Sequence, residues 1–525
     1  MHYSTPALKY TKRQHYNVIL YSGIITAAFF LLSGNHYAPR PQKMTSLVPS
    51  GVVAVIYMPA PAATWTTIKK NPAWSYFAKT QTGKRFITTF ASNFQQFSFM
   101  GYSTKDILQL YGRDGIALFW NINAAAPRFG YVFYIGGKEE KAKKVIHVIQ
   151  DMAIINKVSL EEFQYGKKKI TVYGIQQKLY IAQHGSYQFW ANSRTNIIQM
   201  LNRHTGTAPQ PSTRFMHALQ KIDNHNDIQI ALDISNAEVQ RRLSALCGNA
   251  LEDDYAYAYG YLSIQKRIKL FLKLYRNGKS FSAVPAGLKN SATLQRFVSK
   301  NIYFYQQVDR TPLRINQTKA WSALRYPKII TPGSITLLTK PQQSIAEEGR
   351  ILMERLPVTE CAWLFRRKTF TDKLIVLGVL TNTSVSLSKK LFGVEKSALA
   401  VFAYDGYTIY AQKNNPEWYY CKQGTVVLLS KSKREIQTTM ANYFGNGIRS
   451  TKTYMNVWQN IAKKKIWFTY CYLRTTIWDT YAASSDKRER YLIAPFSKAF
   501  GVYTFFAETD STSLTLHVET WRVIH

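Results

Sequence analysis

The sequence predicts an α+β protein: an N-terminal transmembrane helix followed by two divergent copies of a mainly antiparallel sheet-plus-helices domain. Three observations carry this expectation. No charge occurs between Arg13 and Arg40, and the stretch from Val18 to Leu32 is almost wholly apolar. The segment GSYQFWANSRTNIIQMLNRHTG (Gly185 to Gly206) lies over GTVVLLSKSKREIQTTMANYFG (Gly424 to Gly445) without a gap. Short strand-like runs alternate with helical periodicity and with turns that join strand to strand, which indicates antiparallel sheet rather than a βαβ dinucleotide fold.

The first element is the apolar run. From Tyr16 to Ser33 it has 18 residues, about 27 Å of helix and close to the hydrocarbon thickness of a bilayer. Val18, Ile19, Leu20, Ile24, Ile25, Phe29, Phe30, Leu31 and Leu32 are its expected membrane-facing residues. Lys9, Lys12 and Arg13 precede it, the usual cytoplasmic flank. Leu32-Ser33-Gly34 resembles the lead-in to a lipid-modified cysteine, but Asn35 follows and has no thiol. His36-Tyr37-Ala38 fits a cleavage site only at its last residue, and Pro39 follows it. The reading is a cytoplasmic tail over 1–15 and an uncleaved signal anchor over 16–34, with a cleaved signal as the alternative. A single-pass protein of the inner membrane, with its body in the periplasm or outside the cell, is the expected location.

The second element is the repeat. At the same offset of 239, Phe215-Met216 meets Tyr454-Met455 and IQIAL (228–232) meets WFTYC (467–471); ITVY (170–173) meets YTIY (407–410) after a shift of two. More loosely, PSGVVAVIY from Pro49 resembles PGSITLLTK from Pro332, and GIALFW (115–120) resembles CAWLFR (361–366). Closing hairpins are expected at 259–275 and 500–520. The domains are therefore a first α+β repeat over 47–277, a connector over 278–329 and a second repeat over 330–522. The offset falls from 283 at the opening prolines to 246 at GIALFW, which implies 37 extra residues in the first repeat, within the stretch from Trp65 to Leu110.

Composition bounds the function. The chain has 525 residues, 46% hydrophobic and 14% aromatic, enough for more than one packed core. Its net charge of +38 comes from 68 Lys and Arg against only 30 Asp and Glu, so acids are scarce rather than bases abundant. The bases fall in scattered short runs such as Lys167-Lys168-Lys169, Arg241-Arg242, Arg366-Arg367-Lys368 and Lys463-Lys464-Lys465. That pattern reads as solvated surface able to attract anionic lipid or polymer, with no nucleic acid expected. Cys247, Cys361, Cys421 and Cys471 have no CxxC spacing and read as core residues or one bridge.

The opening of the first repeat, LVPSGVVAVIYMPAPAATWTTIKKNPAWSYF (Leu47 to Phe77), resembles an uncharacterised family of membrane-anchored, Bacteroidetes-type envelope proteins. Its features here are Val48-Pro49, Trp65 with Ile68, and Trp74. The resemblance implies an anchor and a domain of unknown function in two divergent copies; it implies no catalytic residue.

Chemistry leaves few marks. Gly278-Lys279-Ser280 ends like a P-loop, but Lys273 stands where the first glycine belongs. Asp223-Asn224-His225-Asn226-Asp227 lacks the glycine and terminal glutamate of a calcium loop. Ser386/Lys389 and Ser430/Lys433 have the Ser-x-x-Lys spacing without its usual companions. Gly445-Asn446-Gly447 reads as a left-handed helix cap. The ten histidines show no i/i+4 pair. No catalytic, cofactor or metal residue is assigned. The expected function is non-enzymatic binding or scaffolding at the bacterial envelope. The alternatives are an envelope hydrolase or transferase with a site hidden in sequence, and a basic protein that binds anionic lipid or polymer.

Overall fold

The computed structural model describes residues lying within 43–84, 110–122, 128–246, 255–276, 292–309, 345–365, 374–447, 466–473, 502–509 and 513–521. They form two compact units, each built on an antiparallel sheet with helices.

The first unit holds β1 (Ala54–Met58), β2 (Gly115–Asn121), β3 (Arg128–Tyr134), β4 (Leu160–Tyr165), β5 (Ile170–Ile175), β6 (Leu179–His184), β7 (Tyr187–Ala191), β8 (Ile228–Asp233) and β9 (Tyr255–Ile264). Their order across the sheet is β9-β8-β1-β2-β3-β7-β6-β5-β4, every neighbour antiparallel. Its helices include α1 (Pro61–Lys70), α3 (Glu139–Ile155), α4 (Arg194–Thr205) and α5 (Thr213–Lys221), while α2 (Pro72–Lys79) falls in the second unit. All five residues of β7 are buried. Tyr187 and Phe189 pack with Ile197, Met200 and Leu201 of α4, whereas Trp190 packs with Ala142, Val145 and Ile146 of α3. An inner strand buried on both faces needs apolar side chains at every position, and YQFWA supplies them apart from Gln188.

The second unit holds β10 (Ile268–Arg276), β11 (Phe304–Asp309), β12 (Val358–Phe365), β13 (Leu374–Leu380), β14 (Leu399–Tyr404), β15 (Tyr407–Gln412), β16 (Tyr419–Gln423), β17 (Val426–Ser430), β18 (Ile466–Leu473), β19 (Val502–Thr509) and β20 (Ser513–Trp521). The order is β10-β20-β19-β18-β11-β12-β13-β17-β16-β15-β14. From β19 to β14 this repeats the first sheet's order strand for strand. Between β13 and β14 lies α6 (Leu387–Phe392), where the first unit has the 17-residue α3; α7 (Lys433–Phe444) follows β17 as α4 follows β7. The equivalence reaches single contacts. Arg194 opens α4 and lies 4.2 Å from the centre of the Phe163 ring, and Lys433 opens α7 at the same distance from Phe402. Such cation–ring contacts contribute roughly 0.5–1 kcal/mol when exposed, and here they tie each helix start to an edge hairpin.

Several expectations change. The strand that takes the place of β1 is β11, in the stretch read as connector; Pro332 and its expected strand lie outside the described residues. Ala54 faces Phe119 in the first sheet as Phe304 faces Phe365 in the second. The offsets are then 250 and 246, so the two intervals differ by four residues and not by 37. The connector's NIYFYQQV run does read as a strand in sequence; what the residues do not show is its place inside the sheet, between β12 and β18.

The transmembrane expectation is also corrected. No helix among the described residues is long and apolar enough to cross a membrane. The longest, α3, carries Glu139, Glu140, Lys141, Lys143, Lys144 and Asp151, charges that no hydrocarbon core accommodates cheaply. The fold class is thus two antiparallel sheets with helices. A signal anchor and a single-pass inner-membrane location have no support in it, and the residues assigned to the anchor, Val18 to Leu32, lie outside the described residues.

The two helix ends differ. Gly206 after α4 has φ 83°, whereas Gly445 after α7 has φ −88° and the left-handed residue comes two positions later, at Gly447 with φ 46°. Gly206→Ala is expected to cost about 1 kcal/mol and Gly445→Ala less than about 0.5 kcal/mol, read as shifts in urea unfolding midpoints.

Candidate functional site

The residues with most chemical character gather at one end of the first sheet. Antiparallel pairing places the β4–β5 and β6–β7 connections at that end. The first spans residues 166–169 and contains Lys167 and Lys169, both exposed; Gly166 and Lys169 are left-handed at φ 67° and 48°. The second is the two-residue turn Gly185-Ser186, with Gly185 at φ 56°.

Helix α3 starts at this end. The Glu139 carboxylate accepts hydrogen bonds from Ser186 Oγ at 2.7 Å and from the Gly137 amide at 3.1 Å. Gln183 donates to the Glu139 carbonyl at 3.0 Å. Next to it, Glu140 pairs with Lys143 at 2.9 Å. The hydrogen bond to Glu140, and then its charge, hold the Lys143 ammonium above its ordinary range.

Helix α4 finishes at the same end. Tyr165 of β4 donates to Asn202, and Arg203 Nε donates to the Ser46 carbonyl at 2.9 Å. His204 meets His184, the last residue of β6: His184 Nδ1 and His204 Nε2 are 2.8 Å apart. The His204 ring also packs 5.2 Å from Tyr187 and 5.1 Å from Phe189. A bond between two imidazoles needs one donor and one acceptor, so it survives only while at least one ring is neutral.

The second unit keeps a base in the helix, Lys389 being third in α6 as Lys141 is third in α3, but lacks the histidines, the guanidinium and the turn lysines at the equivalent positions. Gln423 stands for His184, Tyr443 for His204 and Asn442 for Arg203, and Asp405-Gly406 replaces the lysine-bearing connection. The histidine pair, Arg203 and the β4–β5 lysines therefore belong to the first unit and not to the shared fold.

Sequence reasoning missed the pair because the two histidines are 20 residues apart. The available signal was structural: one ends a strand at a tight turn and the other occupies the last turn of the next helix. The other sequence candidates come to rest in ordinary roles. Ser430 Oγ is buried and donates to the Leu374 carbonyl at 2.8 Å, while Lys433 lies over Phe402. Ser386 precedes α6, and Lys389 pairs with Glu395 at 3.7 Å. Neither lysine serves its serine. The Asp223–Asp227 stretch and Gly278-Lys279-Ser280 lie outside the described residues. Among the described residues no group of three or more His, Cys, Asp and Glu is placed to hold a metal ion. Cys361 and Cys421 are buried free thiols, and burial pushes the Cys421 thiol up to about 12, far from a thiolate nucleophile.

The bond is tested by removing one partner. His204→Phe keeps an aromatic ring beside Tyr187 and Phe189 but leaves His184 Nδ1 without this contact, and is expected to lower the thermal midpoint by the equivalent of about 1 kcal/mol. An unchanged midpoint would show that the bond contributes nothing.

No family model matches the chain, and no curated protein does. Among solved structures, the chain is similar to "Structure of crystal form I of TP0453" at 11% identity and a TM-score of 0.27, over 46% of this chain and 81% of that one. It is similar to crystal form IV of TP0453 at 12% identity and a TM-score of 0.26, over 44% and 79%. A likeness of this size supports neither a fold nor a role.

Proposed function

We propose that the protein is a non-enzymatic binding protein whose first unit takes an anionic partner at the β4–β5/β6–β7 end of its sheet. One observation carries the reading. Lys138, Lys141, Lys167, Lys169 and Arg203 gather there, while the acids of the same loops are engaged within them: Glu139 by Ser186 and Gly137, Glu140 by Lys143. The local balance is positive in a chain of net charge +38. Its basic side chains sit on tight turns and helix ends. Such a surface suits an extended anion bound by many weak, salt-sensitive contacts.

The test is binding of the full chain to inorganic polyphosphate across a salt series. Lys167→Glu/Lys169→Glu is expected to weaken binding at least ~10-fold and to flatten the dependence of affinity on salt. Lys413→Glu/Lys422→Glu, on the second unit, is expected to change it little. Equal loss from both double variants would reduce the effect to net charge and overturn the assignment.

A further inference from the structure

Helix α3 begins beside the basic connections and ends, 17 residues on, at the opposite end of the first sheet. Antiparallel pairing brings the start of β4 and the β5–β6 connection to that end, Leu160 facing Ile175 and Ile175 facing Leu179. The Gln176 amide donates to the Ser159 carbonyl at 2.9 Å and the Val158 amide to the Ala153 carbonyl at 2.8 Å, so helix end and turns form one corner. Ile154, Ile155, Asn156, Lys157, Ser159 and Leu160 are all exposed there, and the corner projects. Ile154 and Ile155, at 63% and 72%, are the most exposed large apolar residues described. The second unit shows what the fold alone requires. α6 is followed by Gly393 at φ 72°, and Leu399, which stands for Leu160, is 2% exposed against 39%. The first unit instead has Lys157 at φ 52° and Gln176 at φ 50°, in the left-handed region that glycine enters freely and side chains resist. A lysine kept in a glycine conformation points to a use for its ammonium group.

We propose that this corner docks on an anionic lipid surface, with Ile154 and Ile155 entering the boundary between headgroups and acyl chains and the exposed Lys157 and Lys178 meeting lipid phosphates. The local charge fits that occupant. Residues 152–160 and 174–179 contain no acid. The nearest in sequence are Asp151, one turn back along α3, and Glu161, which is held by Arg194 at 2.8 Å. An apolar point flanked by lysines is thus what the corner presents, and anionic headgroups attract juxtaposed lysines while the acyl boundary takes the apolar side chains. Its form fits as well. A projecting pair of isoleucines offers little of the ~1,200–2,000 Å² that a standard protein interface buries, whereas a fluid bilayer deforms around it. A second copy of the chain, itself at +38, would set lysine against lysine. Contact of this kind needs no spanning helix, and it uses none of the residues proposed to take polyphosphate.

Flotation of the full chain with vesicles of phosphatidylcholine and phosphatidylglycerol tests this. Ile154→Ser/Ile155→Ser, which changes no charge, is expected to weaken binding at least ~10-fold. Val401→Ser, at an exposed apolar site of the second unit, is expected to leave it unchanged. Lys157→Gly is expected to weaken binding about fivefold, while its urea unfolding midpoint holds or rises because glycine suits φ 52°. An environment-sensitive dye on Ile155→Cys is expected to shift its emission to the blue on these vesicles, and the same dye on Val401→Cys is not. Equal binding by wild type and the serine double variant, or an equal loss from Val401→Ser, would overturn the proposal. So would binding as tight to phosphatidylcholine alone. Self-association that the serine double variant abolishes, with vesicle binding intact, would overturn it in favour of a second copy.

Discussion

Both units depend on one constraint: the strand that follows the small hairpin is buried on both faces. β7 and β17 have every residue inside, and helices meet that demand: α4 and α3 on the two faces of β7, and α7 on one face of β17. Phe189 illustrates the consequence. It is fully buried against α4, and replacing such a ring with alanine ordinarily costs about 3–5 kcal/mol. Once those helices are committed to covering β7, their ends are fixed: α3 must start, and α4 must finish, beside the β4–β5 and β6–β7 connections. The histidine pair and the cluster of bases follow from that placement.

The same constraint explains how the two units diverge. Positions that cover the doubly buried strand keep their character, as Ile197 and Leu201 of α4 correspond to Ile436 and Met440 of α7. Positions at the sheet's ends and edge are free of it, and there the units part. The first has lysines, paired histidines and a glutamate-guarded edge; the second has Asp405-Gly406, Gln423, Tyr443 and the uncharged β14. The exposed ion pair of Arg194 with Glu161, 2.8 Å long, exists only in the first unit and contributes at most about 1 kcal/mol. Its absence from the second, where Ala400 stands for Glu161, leaves the fold unchanged.

Much of this architecture was legible in the residues. The gapless match from Gly185 to Gly206 marks β7 and α4 with their counterparts, because burial on both sides of β7 constrains nearly every letter there. Strand β11 was legible as the NIYFYQQV run of the connector, but its place in the sheet was not, because pairing with β12 and β18 supplies what composition does not. The candidate site was hidden for a different reason. Its charges and rings come from four connections and helix ends, and none of these carries a motif by itself. A membrane-length apolar run suggested an anchored protein; that run lies outside the described residues, and the described helices are short or carry a charged face.

Hydrogen–deuterium exchange of the full chain with and without inorganic polyphosphate tests the central claim most directly. Protection is predicted at residues 136–141, 166–169, 184–187 and 203–207, with residues 405–407, 423–426 and 442–445 unchanged. Equal protection at both sets, or protection at the second set alone, would contradict the assignment of binding to the first unit.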